Sequence, residues 1–454
     1  MKKLLGILLC VAMVFAMANF SLAEETLPSF LSIKVGEEYT DLTASIKYYT
    51  HRTDLTPVQN STVFQDKYIA EFNKLYPNIK VEVEATTDYA QDALVRLTGS
   101  DDWGDIMNIP QVENSEFSTF FLPYGSVEDM SKYINFADAK QYDGLTYGIP
   151  TTANFQGVLY NKAVFEKAGI TEIPRTPEAF IDALQKIKDN TDAIPLYTNY
   201  AAGWTMGAWD FYAGVGATGD PDFVNINMIS IKDPFAARSD GAGPYAVYKI
   251  LYDATQKKLI EDDYTTTDWE SCKPKLNNGE IGTMMLGSWA YVQMRDAVGG
   301  EHPDDVAYMP FPVSVDGKQY ALSAADYCYG INAKTDKTRQ LASMIFVKWM
   351  VEKGGFNTNE GGSPVLIGES FPTFASTFEG VTMLSDTMVD GTQAQLVDDM
   401  NADSTLMFAK GGNEKIQKII EHAFTGDMTF DEVMASWNQL WSDAQESLGV
   451  KVAE

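Results

Sequence analysis

Short apolar segments alternate with amphipathic helical segments along most of this chain, and few architectures accommodate that rhythm. Ala44 to Thr50 (ASIKYYT) reads as a strand. Thr62 and Gln65 then stand at capping-box spacing, and Phe64, Tyr68, Phe72, Leu75 and Tyr76 recur at helical spacing. Pro77-Asn78 ends that helix, and Ile79 to Glu84 alternates apolar and polar as a half-buried strand does. A second helix is expected over Tyr89 to Leu97, stopped by Gly99, and Asp105 to Ile109 is a short apolar strand closed by Pro110. This βαβαβ order predicts a parallel sheet with helices on its faces.

The rhythm resumes after a Gly/Tyr-rich stretch. A strand is expected at Val158 to Tyr160, with Asn161 capping a helix that Gly169 ends. Thr176-Pro177 supplies an N-cap and a first-turn proline for a helix whose buried face holds Phe180, Ile181, Leu184 and Ile187. Further strands are expected near Ile194 to Tyr197, Ile281 to Leu286 and Asp326 to Ile331. Helices are expected around Val247 to Ala254, from Lys337 to Glu352, and from a Thr429/Glu432 capping box to Ser447. These are too many units for one small sheet, and their spacing lacks the even eightfold repeat of a barrel. The prediction is an α/β chain of two doubly wound lobes, whose strand C-termini face a shared cleft.

The chain has 454 residues and a net charge of −29, which disfavours contact with nucleic acid or an anionic membrane surface. Met1-Lys2-Lys3, the apolar run Leu4 to Met17 and Ser21-Leu22-Ala23 have the anatomy of a signal peptide cleaved after Ala23. An exported protein is therefore expected, extracellular or periplasmic. Cys10 lies inside the apolar run, away from a lipoprotein cleavage position, and Cys272 and Cys328 are expected to be unpaired. His51, His302 and His422 have no metal-binding spacing, and no cofactor is expected.

Several stretches, in order, resemble the extracellular solute-binding proteins of ABC importers, in the sugar-binding cluster that includes maltodextrin-binding proteins. They are FNKLYPNIKVEVE (Phe72 to Glu84), WGDIMNIP (Trp103 to Pro110), YGIP…VLYNKAVFEKAGI (Tyr147 to Ile170) and NNGEIGTMMLGSWAY (Asn277 to Tyr291). The Cys328 to Trp349 strand–helix and the C-terminal GDMTFDEVMASW are similar too. The chain departs from the family at Thr176-Pro177, where Thr-Trp is common, at Pro274, and in lacking the lipoprotein cysteine of many relatives. The resemblance implies a periplasmic-binding-protein-like, Venus-flytrap fold with crossing hinge strands near residues 151–156, 321–326 and 363–368. The organisation it implies is a signal peptide over 1–23 and an extension over 24–43. Lobe 1 then takes 44–151 plus 326–364, and lobe 2 takes 152–325 plus 365–454. It further implies a monomer that carries a carbohydrate to membrane permease subunits.

A sugar offers hydroxyls that donate and accept, together with apolar C–H faces, so its site needs planar rings and fixed polar groups. Trp289 follows Gly287-Ser288 at the family's aromatic-platform position; the alternative is a core tryptophan. Trp204 and Trp209 share a Gly-rich loop, and at least one is expected at the cleft. Asn154 stands at the spacing of a polar ligand contact, or is a hinge turn residue. Arg52 and Asp54 follow the first strand and could reach the cleft or form a surface ion pair; Gln111 and Glu113 carry the same ambiguity after Pro110. Asp326 begins the returning strand. Two readings of other classes stand beside this one: a secreted glycoside hydrolase with two carboxylates across a cleft, and a sensor module for a membrane kinase.

Overall fold

The computed structural model describes residues 26–389 and 391–453, so the leader and Cys10 lie outside the described residues. The strands that build the first sheet are β1 (Ala44–Thr50), β2 (Ile79–Ala85) and β3 (Ile106–Asn108). A small three-stranded sheet follows, from β4 (Gly125–Ser126), β5 (Gln141–Tyr142) and β6 (Leu145–Thr146). Then come β7 (Ile149–Pro150), β8 (Ala153–Asn161), β9 (Ile194–Leu196), β10 (Ile281–Gly287), β11 (Val306–Met309), β12 (Tyr320–Ala325), β13 (Cys328–Ile331) and β14 (Thr382–Leu384).

The first sheet has the order β2-β1-β3-β13-β7. Pairing among β1, β2 and β3 is parallel, as predicted, whereas β13 and β7 join antiparallel. The reason is topological: β13 returns from the other lobe and enters this sheet from its opposite end. Alternation along β1 explains the two layers of helix. Ile46 and Tyr48 pack with Phe64, Phe72 and Phe346 on one face, while Tyr49 packs with Tyr89 and Leu97 on the other. Helix Lys337–Glu352 lies on the first of these faces and helix Tyr89–Gly99 on the second.

Two local expectations change. The Thr62/Gln65 capping box does not form: the Thr62 hydroxyl donates to the Asp66 carboxylate at 2.6 Å, and the helix opens with a π-turn over Phe64–Ile69. A charged acceptor one turn on outcompetes a neutral one. Residues 26–43 are not a loose extension, because Phe30, Ile33 and Val35 are buried in the first core and the Gly36 amide donates to the Tyr76 hydroxyl at 2.8 Å.

The second sheet runs β14-β12-β8-β10-β9, with β11 also on β8. Asn161 and Thr176 cap the helices that follow them, and the Thr429/Glu432 capping box is formed at the head of Phe430–Ser447. Helix Trp269–Asn277 continues through Pro274. Helices Gly391–Ser404 and Asn413–Thr425 complete this lobe. Cys272 and Cys328 are unpaired and buried in different clusters, and burial pushes both thiols up to about 12, far from thiolate chemistry.

The chain changes core three times. Ala153 packs in the first core and Phe155 in the second; Ala321 is in the second and Tyr329 in the first; Val365 is in the first and Ala375 in the second. The crossing segments meet at Ala153. It pairs with Ala325, and its carbonyl accepts from the Ser363 amide at 2.6 Å.

Two charged ties fix loops to these frames. In lobe 2 the buried Asp210 accepts from the Tyr248 hydroxyl at 2.7 Å, from the Ala409 amide at 2.9 Å and from the Lys415 ammonium. In lobe 1, Arg52 forks onto Asp54 at 2.9 and 2.8 Å and reaches Glu360 at 2.5 Å, while the Tyr68 hydroxyl donates to Glu360 at 2.9 Å. Lys415→Met leaves Asp210 buried without its cation and should cost about 3–5 kcal/mol in urea unfolding. Glu360→Gln should cost about 2 kcal/mol. Asp54→Asn should cost under about 1 kcal/mol, because the Asp54 side chain is 38% exposed against 8% for Glu360. Equal losses at positions 54 and 360 would contradict this ranking.

Candidate functional site

The β8–β12 pair forms a two-stranded ribbon between the lobes, and its period of two sorts the side chains. Asn154 stands opposite Ala324, and Phe155 opposite Ser323. Directly opposed residues share a face, so Thr152, Asn154, Gln156, Ala324 and Asp326 belong to one face. The Thr152 hydroxyl donates to Asp326 at 3.3 Å, in keeping with that assignment. On the other face Phe155 is buried against Phe371, Phe374 and Phe378.

The polar face is short of partners. Asn154 Oδ1 and Gln156 Oε1 are both buried and accept no hydrogen bond among the described residues, although their residues retain partial exposure. Such acceptors are costly unless something donates to them. Gln156 pairs with Gly287, where a side chain would clash with the Trp289 ring at 2.9 Å. Trp289 therefore lies against the Gln156 end of the ribbon, packed with Trp204 at 5.8 Å and Trp269 at 5.7 Å between ring centroids. Trp204 and Trp269 meet edge-on at 5.1 Å, and Trp204 is 44% exposed, an unusual state for so large an apolar ring. Gly361, at φ +79°, lets the third crossing segment approach the Ser288 carbonyl, which any side chain there would strike at 2.9 Å.

At the opposite end, the C-termini of β1 and β3 bring in His51 and Asn108. The His51 ring lies on Tyr327 at 4.5 Å, and Asn108 Nδ2 is 2.8 Å from His51 Nδ1. The face is thus a strip: aromatic and polar groups from lobe 1, two buried, unpartnered amide oxygens, then three tryptophans from lobe 2. It sits where strand C-termini converge, the place where open α/β sheets bind ligands.

Not every expected residue joins this strip. Trp289, Trp204, Asn154 and Asp326 do. Trp209 does not: it is 2% exposed in the lobe 2 core, near Tyr212 and Phe311, because the Gly-rich segment folds into short helices that turn it inward. Arg52 and Asp54 are occupied with each other and with Glu360, and Gln111 and Glu113 are exposed in the loop after β3 without side-chain hydrogen bonds among the described residues. Sequence reasoning missed Gln156, Trp269 and His51. Alternation from Asn154 would have found Gln156; nothing in the sequence separates Trp269 from a core ring.

A cavity of about 750 Å³ lies along β12 on the Phe371 side of the ribbon, lined by both lobes, with Phe211 and Phe371 among its walls together with Ala324 and Asp326 of the polar face. It flanks β12 and β14 rather than strand C-termini. Its buried Asp386 carboxyl is raised by desolvation to about 6. Among the described residues, no cluster of His, Cys, Asp and Glu could hold a metal ion, and no helix is long and apolar enough to cross a membrane.

With this geometry in view, the comparisons with known proteins are specific. Residues 59–355 match the family described as bacterial extracellular solute-binding protein. A manno-oligosaccharide-specific solute-binding protein of Bifidobacterium animalis subsp. lactis, solved with mannotriose, is 48% identical; the match covers 92% of this chain and 99% of that one, with a TM-score of 0.84. A second binding protein of that organism, described as part of an ABC transporter and solved with mannobiose, is 48% identical over 92% of this chain and 99% of that one, with a TM-score of 0.83. The multiple sugar-binding protein of Streptococcus mutans is 23% identical over 379 residues, 80% of this chain and 82% of that protein. The family match spans more than half of the chain, and the two-lobed α/β fold agrees with it: the protein belongs to the bacterial extracellular solute-binding proteins.

Proposed function

We propose that this protein is the substrate-binding component of an ABC importer and that the strip along the β8–β12 ribbon captures an oligosaccharide, with manno-oligosaccharides as the first class to test. The observation that carries this reading is the run of three clustered tryptophans into the unpartnered oxygens of Asn154 and Gln156. Rings take the C–H faces of successive sugars, and sugar hydroxyls donate to the two amide oxygens. Oligosaccharide ligands in the 48%-identical relatives support the same class.

Binding is coupled to motion through the ribbon. A ligand that touches the lobe 1 end and the lobe 2 tryptophans at once stabilises whichever arrangement brings them together, and it shifts the population by that difference in affinity. The closed pair of lobes is then the form presented to the permease subunits. The protein works outside the cytoplasmic membrane as a monomer, held near the outer face only through that permease. As a binding component it releases its ligand unchanged, which sets it apart from a glycoside hydrolase.

Mannotriose at about 100 times its Kd should stabilise the protein by about 2.7 kcal/mol, visible as a rise in Tm. Trp289→Ala should weaken binding by isothermal calorimetry at least about tenfold, or about 1.4 kcal/mol, while the unliganded variant still unfolds cooperatively. Shortened sugar products, or undiminished binding by Trp289→Ala, would sink the reading.

A further inference from the structure

One titratable group at the lobe 1 end of the strip is held in a definite protonation state by a chain of buried hydrogen bonds. Asn108 is fully buried, and its two ends are both engaged. The Tyr48 hydroxyl donates to Asn108 Oδ1 at 2.7 Å; burial pushes that phenol well above its ordinary range, so it keeps its proton and acts as donor. Asn108 Nδ2 is thereby turned toward Thr50 Oγ1 at 3.1 Å and His51 Nδ1 at 2.8 Å. An amide nitrogen only donates, so Nδ1 must present its lone pair, and the single imidazole proton belongs on Nε2. Among the described residues Nε2 has no hydrogen-bond partner, and it is not one of the fully enclosed unpartnered atoms. The ring plane is set by Tyr327 at 4.5 Å and by Tyr89, edge-on at 6.0 Å.

We infer that His51 is a specificity-determining residue of the cleft: a neutral imidazole fixed as the Nε2–H tautomer, which donates one hydrogen bond to a ligand hydroxyl beside the Asp326 carboxylate that accepts one. The inference deepens the proposed function and rests on the polar face of the ribbon being the ligand side. Its chemistry complements the rest of the strip. Asn154 and Gln156 offer acceptors, and His51 adds a donor that cannot rotate away, so a hydroxyl placed here is read as an acceptor.

The charged groups around the ring are Asp326, Arg52 and Asp54, and the Tyr89 and Tyr327 rings pack against it from the flanking elements. Burial lowers the imidazole from 6.5 to about 4; Asp326 and Asp54 oppose that shift, and Arg52 adds to it. Protonating Nδ1 would set two donors, His51 and Asn108, against each other. The folded value lies below the unfolded one, so stability from this group is complete above about 6.5 and declines as pH falls from there through about 4. Ligand affinity should be flat from pH 8 to about 5 and fall as pH passes through about 4.

The test uses the whole mature protein labelled with ¹⁵N-histidine, with His51→Gln to assign the resonance among the three histidines. At pH 7 the His51 spectrum should show the Nε2–H tautomer, and its titration should lie well below those of free histidines. Calorimetry with mannotriose should show at least tenfold weaker binding for His51→Phe, which keeps a ring on Tyr327 but has no N–H. An Nδ1–H tautomer, a titration near neutrality, or unchanged mannotriose affinity in His51→Phe would overturn the inference. Wild-type protein that binds no mannotriose would count against the proposed function instead, and the spectrum would still decide the tautomer.

Discussion

Everything specific in this molecule depends on the antiparallel pairing of β8 with β12. These strands belong to one sheet at one end and lead into the other lobe at the other, so their ladder is both a structural seam and a pivot. Strand pairing also divides the molecule into two sides. Because opposed residues share a face, a single register decides that Asn154, Gln156 and Asp326 look one way while Phe155 looks the other. A slip of one residue would exchange the polar strip for the phenylalanine cluster. The buried contacts of Phe155 with Phe371, Phe374 and Phe378 oppose that exchange, so apolar packing behind the ribbon guarantees the polar display in front of it.

The lobes hold the two ends of that strip with different tools. Lobe 1 uses hydrogen bonds: Tyr48, Asn108 and Thr50 fix His51, and Asp54, Glu360 and Tyr68 hold Arg52 and with it the loop after β1. Lobe 2 uses shape, with three tryptophans packed against one another and Gly287 leaving room for Trp289, while Gly361 of the third crossing segment lets the backbone approach Ser288. A surface of fixed donors and acceptors at one end and adaptable rings at the other suits a ligand that is chemically repetitive along its length.

Much of this was legible in the sequence, and the failures are informative. Strong contrast made β1, β2 and helix Lys337–Glu352 readable to within a residue or two. β12 (YALSAA) was not read as a strand from its own residues, because small residues give little apolar–polar signal, and helix Gly391–Ser404 escaped because few of its side chains are buried. Trp204 and Trp209, five positions apart, read alike in one dimension. Only the local helical turns, set by tertiary packing, send one outward and the other into the core. The Arg52 network was equally hidden, since Glu360 is 308 residues away in sequence. Local periodicity alone does not mark the crossings; expectations for them came only from the family resemblance.

The most direct test of the account is a crystal structure of the protein with mannotriose. The account predicts sugar rings lying on Trp289 and Trp204, with hydroxyls within hydrogen-bond distance of Asn154 Oδ1 and Gln156 Oε1 and with the far end near His51 and Asp326. A trisaccharide lodged instead in the cavity behind the ribbon, against Phe371 and Asp386, would contradict it.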